Sequence, residues 1–221
     1  ALYEAGFETV SLRQLYDYVH FGTELPEKPI VLTFDDGYLS NYEYAYPILQ
    51  EYGMQATIFA IGVSVGKDTY KDTDHAMTPH FGAAEAAEMA GSGLISIQSH
   101  TYDMHQWPPY EDGSAAVREN ILQLPGESEE AYVEALTADF TRSRAQLEAA
   151  TGRPVDVLAY PAGQYSTLAQ VTLQNLGVHV TLSTNPGINT VVKGLPQTLT
   201  AMLRFGVTED LSPEALLEMI Q

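Results

Sequence analysis

The sequence predicts an α/β fold built on a parallel sheet. Three observations carry the prediction. Short apolar strand-like runs alternate with helix-like stretches along the chain, the order that helical crossovers between parallel strands produce. Polar clusters sit just after strands, at Asp35-Asp36, His100 and Tyr160-Pro161. No glycine-rich phosphate fingerprint follows any strand, which weighs against a nucleotide-binding version. Two arrangements fit this order: an open doubly wound sheet, or a closed or nearly closed β/α barrel. In the barrel, residues at strand ends converge on one face and form the site.

The elements follow in order. Ser11 precedes a helix over Leu12–Val19, with apolar positions at Leu12, Leu15, Tyr16 and Val19. After Pro26 and Pro29, residues 30–34 read as a buried strand closed by Asp35-Asp36-Gly37. A helix is expected over 41–52, with Gly53 as its stop. Strand 56–61, helix 82–90 and strand 94–98 come next, the last leading into Ser99-His100-Thr101. A long helix over 129–150 ends at Thr151-Gly152-Arg153-Pro154. Strand 155–159, helix 168–176 and strand 178–183 follow. Residues 203–207 read as a late strand, and Ser212-Pro213 opens a final helix to Ile220.

Composition narrows the function. The 221 residues suit one large domain, and 45% hydrophobic content can fill its core. Twenty-nine acidic residues against 10 basic ones give a formal charge of −19, which argues against nucleic acid and against anionic lipid surfaces. With no cysteine there is no disulfide, thiolate metal site or cysteine nucleophile. The longest mostly apolar run, 56–65, is too short to span a bilayer. Any signal or anchor segment is expected outside residues 1–221.

Two clusters carry chemistry. In Thr33-Phe34-Asp35-Asp36-Gly37-Tyr38, adjacent carboxylates after a buried strand are costly unless something positive lies beside them, and Gly37 lets the chain turn there. Alone, the run could be a solvated Asp-Gly turn. In Ser99-His100-Thr101-Tyr102-Asp103-Met104-His105 the two histidines are five residues apart. On a helix that spacing rotates them by roughly 140°, so they converge on one ion only from a loop. Taken together, two imidazoles and one carboxylate make a catalytic metal site with room for water and substrate. The second carboxylate is then free to act as a base.

These runs resemble the polysaccharide deacetylase family, the NodB-homology domains of carbohydrate esterases. Thr33 to Tyr38 is similar to the family's first motif, and Ser99-His100-Thr101 with His105 to its second. The resemblance implies Asp35 as catalytic base and Asp36, His100 and His105 as metal ligands. It also implies a distorted, incomplete (β/α) barrel over residues 1–221 as a single catalytic domain, lacking the family's usual first strand. Ala159-Tyr160-Pro161-Ala162-Gly163-Gln164-Tyr165 resembles the third motif, in which a backbone N–H, here that of Ala162, stabilises the tetrahedral oxyanion. Three positions depart from the pattern. Ala159 stands where many members have an arginine that orients the base. Trp107, the only tryptophan, follows the second motif instead of lying in a fourth. Leu203-Arg204-Phe205 occupies the place of a late Leu-x-His whose histidine is the general acid.

The resemblance implies a hydrolase that removes N-acetyl groups from N-acetylglucosamine residues of a bacterial cell-surface polymer, either peptidoglycan or an exopolysaccharide. The implied cofactor is one divalent ion: Zn2+, with Co2+, Ni2+ or Fe2+ as alternatives. The expected partner is the acetylated polysaccharide alone, bound by a monomer at the cell surface or outside the cell. Tyr38, Tyr102, Trp107, Tyr160 and Pro161 are the candidate substrate-binding residues. An O-acetyl xylan esterase with the same site, or a carbohydrate-binding domain without turnover, are the competing functions. Of the remaining histidines, His80 reads as part of a solvated loop.

Overall fold

A computed structural model describes residues 1–220. Its centre is a five-stranded, all-parallel sheet in sequential order: β3 (Thr33–Phe34), β4 (Ala56–Ala60), β5 (Ile95–Ser99), β6 (Val157–Ala159) and β7 (Val180–Leu182). β3 and β7 are the two edge strands, and the sheet curls into an open half-barrel instead of closing. A two-stranded parallel pair, β1 (Glu8–Thr9) with β2 (Pro29–Ile30), lies beside it.

Strand periodicity divides the core. On β4, Ile58 and Ala60 pack with Tyr46 and Leu49 of α2 (Tyr46–Tyr52) and Ala86 and Met89 of α3 (Ala83–Gly91). Phe59, between them, faces the other way. It joins Val157, Ala159, Val180 and Leu182 against Leu12, Leu15 and Val19 of α1 (Leu12–Phe21). A third cluster sets Leu158 and Tyr160 against Tyr132, Leu136 and Phe140 of α4 (Glu129–Thr151) and Leu173 of α5 (Thr167–Asn175). Both faces are covered, which is why the strands read as continuous apolar runs. Truncating a fully buried residue such as Leu136 to alanine costs on the order of 2–5 kcal/mol.

Local chemistry sets the helix ends. Ser11 accepts the Gln14 N–H while the Gln14 side chain accepts the Ser11 N–H, and Gly22 leaves α1 at φ 71°. Ser128 caps α4 and Gly152 ends it at φ 65°. Ser212 caps α6 (Pro213–Met219). The helix expected over 41–52 begins as a wide π turn, Asn41–Ala45, and becomes regular only at α2.

Two strand expectations are corrected. Residues 30–34 form two short strands with different partners: β2 pairs with β1, and β3 pairs with β4. The late strand over 203–207 does not form. Only Met202 bridges Leu182. Beyond it a side chain replaces the neighbouring strand: the Asn189 amide accepts the Leu203 N–H at 2.9 Å and donates to the Leu203 carbonyl at 2.8 Å. The half-barrel leaves a mostly apolar cavity of about 770 Å³, lined among others by Leu12, Leu15, Val31, Met202 and Leu203.

Candidate metal centre and active site

Asp35 and Asp36 follow β3 directly. Asp36 and Gly37 both adopt positive φ, 69° and 81°, so the chain reverses within two residues. A Cβ on Gly37 would lie 3.0 Å from the Ala60 Cβ, so only glycine lets this turn lie flat on β4. The second loop leaves β5 through Thr101, a fully buried residue at φ 71°. The strain of a β-branched side chain there is held by three hydrogen bonds. The Thr101 N–H donates to Ser99 Oγ, Thr101 Oγ1 accepts the Met104 N–H, and the Thr101 carbonyl accepts the Gly62 N–H. Ala162, in the turn after β6, also has positive φ, 52°. Among the described residues, three of the five non-glycine positions with positive φ thus lie in the three sequence motifs.

The turns bring Asp36, His100 and His105 together, with one donor atom of each within 4.8 Å of the others. His100 Nε2 lies 3.5 Å and His105 Nε2 3.9 Å from Asp36 Oδ1. Both imidazoles have their other nitrogen engaged. His100 Nδ1 is 2.8 Å from the Ala159 carbonyl, and His105 Nδ1 is 3.1 Å from the Glu119 carbonyl. A carbonyl only accepts, so each Nδ1 carries a proton, and in the neutral ring Nε2 is left with a lone pair. Burial lowers the pKa of His100 and favours its neutral form. Two imidazole lone pairs aimed at a carboxylate oxygen repel one another unless a cation sits between them. The donor set therefore fits a divalent metal ion, and its mixed N/O character suits zinc or a neighbouring transition metal.

Asp35 turns to a different partner. Arg204 Nη1 donates to Asp35 Oδ1 at 2.7 Å and Nη2 to Oδ2 at 2.8 Å, a two-pronged ion pair. The guanidinium is itself fixed, with Nε on the Ser183 carbonyl at 2.8 Å and Nη1 on Thr33 Oγ1 at 3.2 Å. Burial pushes the Asp35 carboxyl up. The Arg204 hydrogen bonds and the nearby positive charge outweigh it, and the carboxyl is held below the usual aspartate range. Sequence reasoning left the partner of Asp35 unassigned. The arginine missing at Ala159 is supplied from the position where the resemblance placed a histidine.

Of the candidate substrate residues, Trp107 is 57% exposed and its backbone N–H donates to Tyr70 Oη. Tyr38 is half-buried with its ring 5.0 Å from His80. Four assignments need correction. Tyr160 is fully buried and Pro161 is buried, so neither side chain can lie against a polymer. Tyr160 instead supports Tyr165, stacked on it at 5.0 Å and 39% exposed, which sequence reasoning overlooked. The Tyr102 ring lies against Gly62 and beneath the Arg142 guanidinium at 3.9 Å, so it is engaged in packing. His80 is not solvated. It is buried, bridges the Tyr38 backbone, and leaves Nδ1 without a hydrogen-bond partner among the described residues. In the third motif the Gly163 and Gln164 N–H groups close a turn onto Tyr160 and Pro161, while Ala162 is exposed.

The polysaccharide deacetylase family model matches residues 22–181. YxkH of Bacillus subtilis (strain 168) is 28% identical over 186 residues, 84% of this chain and 55% of YxkH. The poly-β-1,6-N-acetyl-D-glucosamine N-deacetylase of Escherichia coli (strain K12) is 36% identical over 109 residues, 47% of this chain and 16% of that protein. The chain thus spans about half the length of the first of these relatives and less of the second. In fold it is similar to a de-N-acetylase from Aggregatibacter actinomycetemcomitans, with a TM-score of 0.81 at 23% identity, covering 99% of this chain and 85% of that one.

Proposed function

The chain belongs to the polysaccharide deacetylase family, and on that footing we propose that it hydrolyses N-acetyl groups on an N-acetylglucosamine polymer. The observation that carries the reading is the juxtaposition of Asp36, His100 and His105, tautomers fixed for metal binding, with a separate carboxylate gripped by Arg204. The named activity of the Escherichia coli relative favours β-1,6-linked poly-N-acetylglucosamine over peptidoglycan. That polymer is extracellular, which supports a role at the cell surface. No helix among the described residues is long and apolar enough to cross a membrane.

In this reading residues 1–221 act as one catalytic domain, and Asp36, His100 and His105 hold a single divalent ion, Zn2+ by preference. When bound, such an ion supplies positive charge to the acetyl carbonyl and lowers the pKa of the attacking water. Asp35 accepts the proton of that water. Its two oxygens keep lone pairs beyond those taken by Arg204, so the ion pair orients the base without consuming it. The Ala162 N–H donates to the oxyanion of the tetrahedral intermediate. Collapse of that intermediate releases acetate, and the departing nitrogen needs a proton. Arg204 cannot give one, because guanidinium stays protonated throughout the working range. Asp35 returns the proton it accepted, acting first as base and then as acid. Trp107, Tyr38 and Tyr165 provide apolar ring faces for sugars. Asp36 and His105 are themselves 24% and 31% exposed, a shallow setting suited to a polymer passing across the site.

The test compares acetate release from β-1,6-linked N-acetylglucosamine oligomers, peptidoglycan and acetylated xylan, before and after chelation and after Zn2+ is returned. Release from the oligomers that chelation abolishes and Zn2+ restores is the expected result. Release from xylan alone, or release indifferent to chelation, overturns the reading.

A further inference from the structure

The loop that carries both histidines is gripped from outside by α4. Asp139 Oδ1 accepts the Tyr102 N–H at 2.8 Å, and Oδ2 accepts the Asp103 N–H at 2.7 Å. One turn along the helix, Ser143 Oγ hydrogen-bonds Ser99 Oγ at 2.9 Å, and Arg142 lies over the Tyr102 ring. The contacts bracket the ligands: Ser99 precedes His100, and Tyr102-Asp103 lie between His100 and His105.

Among the described residues Asp139 forms no ion pair, and its hydrogen bonds are those two backbone N–H groups. A half-buried carboxylate with no ion-pair partner is costly to desolvate, with Arg118 favouring its charge but not pairing with it, and helix packing here does not need it. Phe140 and Leu136, on the same helix, do the packing. What the carboxylate uniquely offers is two acceptors, spaced to receive two consecutive N–H groups. Those groups emerge just after Thr101, whose left-handed backbone sends the chain back toward Asp36. With the loop released from α4, the five-residue spacing of the histidines would no longer be tied to one geometry.

We propose that Asp139 is a positioning residue of the metal centre, its carboxylate fixing the Tyr102–Asp103 backbone so that His105 is held opposite Asp36 and His100. This rests on reading those three residues as a metal centre. Partners of metal ligands that act at one remove typically contribute 10–100-fold to metal affinity, and that is the size of the expected effect.

The experiment measures Zn2+ affinity of the full chain by competition with a chelating indicator, and Co2+ binding by its visible spectrum. Asp139→Asn keeps one acceptor and sets an amide N–H against the second backbone N–H. It should weaken Zn2+ binding about 10–100-fold and alter the Co2+ spectrum. Phe140→Leu, its neighbour on α4, should lower the melting temperature and leave the affinity as in the parent. A folded Asp139→Asn with parental affinity overturns the proposal, and so does an equal loss of affinity in Phe140→Leu. Hydrogen exchange on the metal-free parent supplies a test independent of any variant: the Tyr102 and Asp103 amides must be protected, and rapid exchange of both overturns the proposal. A parent that binds no metal, or binds it no better than His105→Ala, brings down the metal-centre reading itself, an outcome distinct from failure at Asp139 alone.

Discussion

Arg204 and Asp35 face each other through two hydrogen bonds, 2.7 and 2.8 Å, across 169 residues of sequence. The pair links the two open margins of the half-barrel: Asp35 follows edge strand β3, and Arg204 follows Met202, which bridges edge strand β7. Arg204 also touches Thr33 on one side and Ser183 on the other. One side chain therefore spans the gap where a closed barrel would place more sheet, and in doing so it orients the Asp35 carboxylate.

Arg204→Ala should consequently lower kcat/KM by about 100-fold, the scale of a compromised general base, with metal content unchanged. Arg204→Lys should recover little of it, since an ammonium is a point charge that cannot engage both oxygens in a fork. Steady-state kinetics with elemental analysis checks both. Parental kcat/KM in Arg204→Ala would show that Asp35 needs no orientation.

The two adjacent carboxylates should separate cleanly. Asp35→Asn should retain the metal and lose turnover by about 100-fold or more. Asp36→Asn removes charge from the oxygen nearest both Nε2 atoms and should lose the metal itself. Equal metal loss in the two variants would refute the division of labour.

Much of this was legible in the sequence because it is local. The strand runs, the caps at Ser11 and Ser212, and the Asp35-Asp36 and His100–His105 clusters each need only a few neighbouring residues to be recognised. Arg204 and Asp139 were not legible as partners, because each meets its target only once distant segments have packed. The absent strand at 203–207 follows from the same limit: nothing local shows that Asn189 will take the neighbour's place. Tyr160 is different. Period-two alternation along β6 puts it on the helix-covered face with Leu158, so its burial was readable and the motif resemblance obscured it.

His80 provides a test of the proton path. Its ring is buried against Tyr38 with Nδ1 unpartnered, close to Asp36, and burial lowers its pKa. With Asp35 returning its own proton, His80→Ala should lower the melting temperature through the space it leaves and keep kcat within a few-fold of the parent. A loss of about 100-fold with metal retained would transfer the acid role to His80.

Asp139 gives a stability signature separate from catalysis. Burial pushes its carboxyl up to about 6, against the downward pull of the Tyr102 and Asp103 N–H groups. A carboxyl whose folded pKa is raised binds its proton more tightly in the folded state. Its contribution to stability is therefore fully present below the unfolded value near 3.8 and is lost as pH rises through about 6. Asp139→Asn has no such titration. In metal-free protein, the parent should thus gain stability relative to the variant as pH falls from 7.5 to 4. The gain is on the order of 1–3 kcal/mol, or at least a few degrees in Tm for a chain of this size. Thermal melts of both proteins across that range read the difference directly. A gap in Tm that stays constant with pH would mean that Asp139 is ionised throughout and that its two N–H contacts, not burial, set its charge.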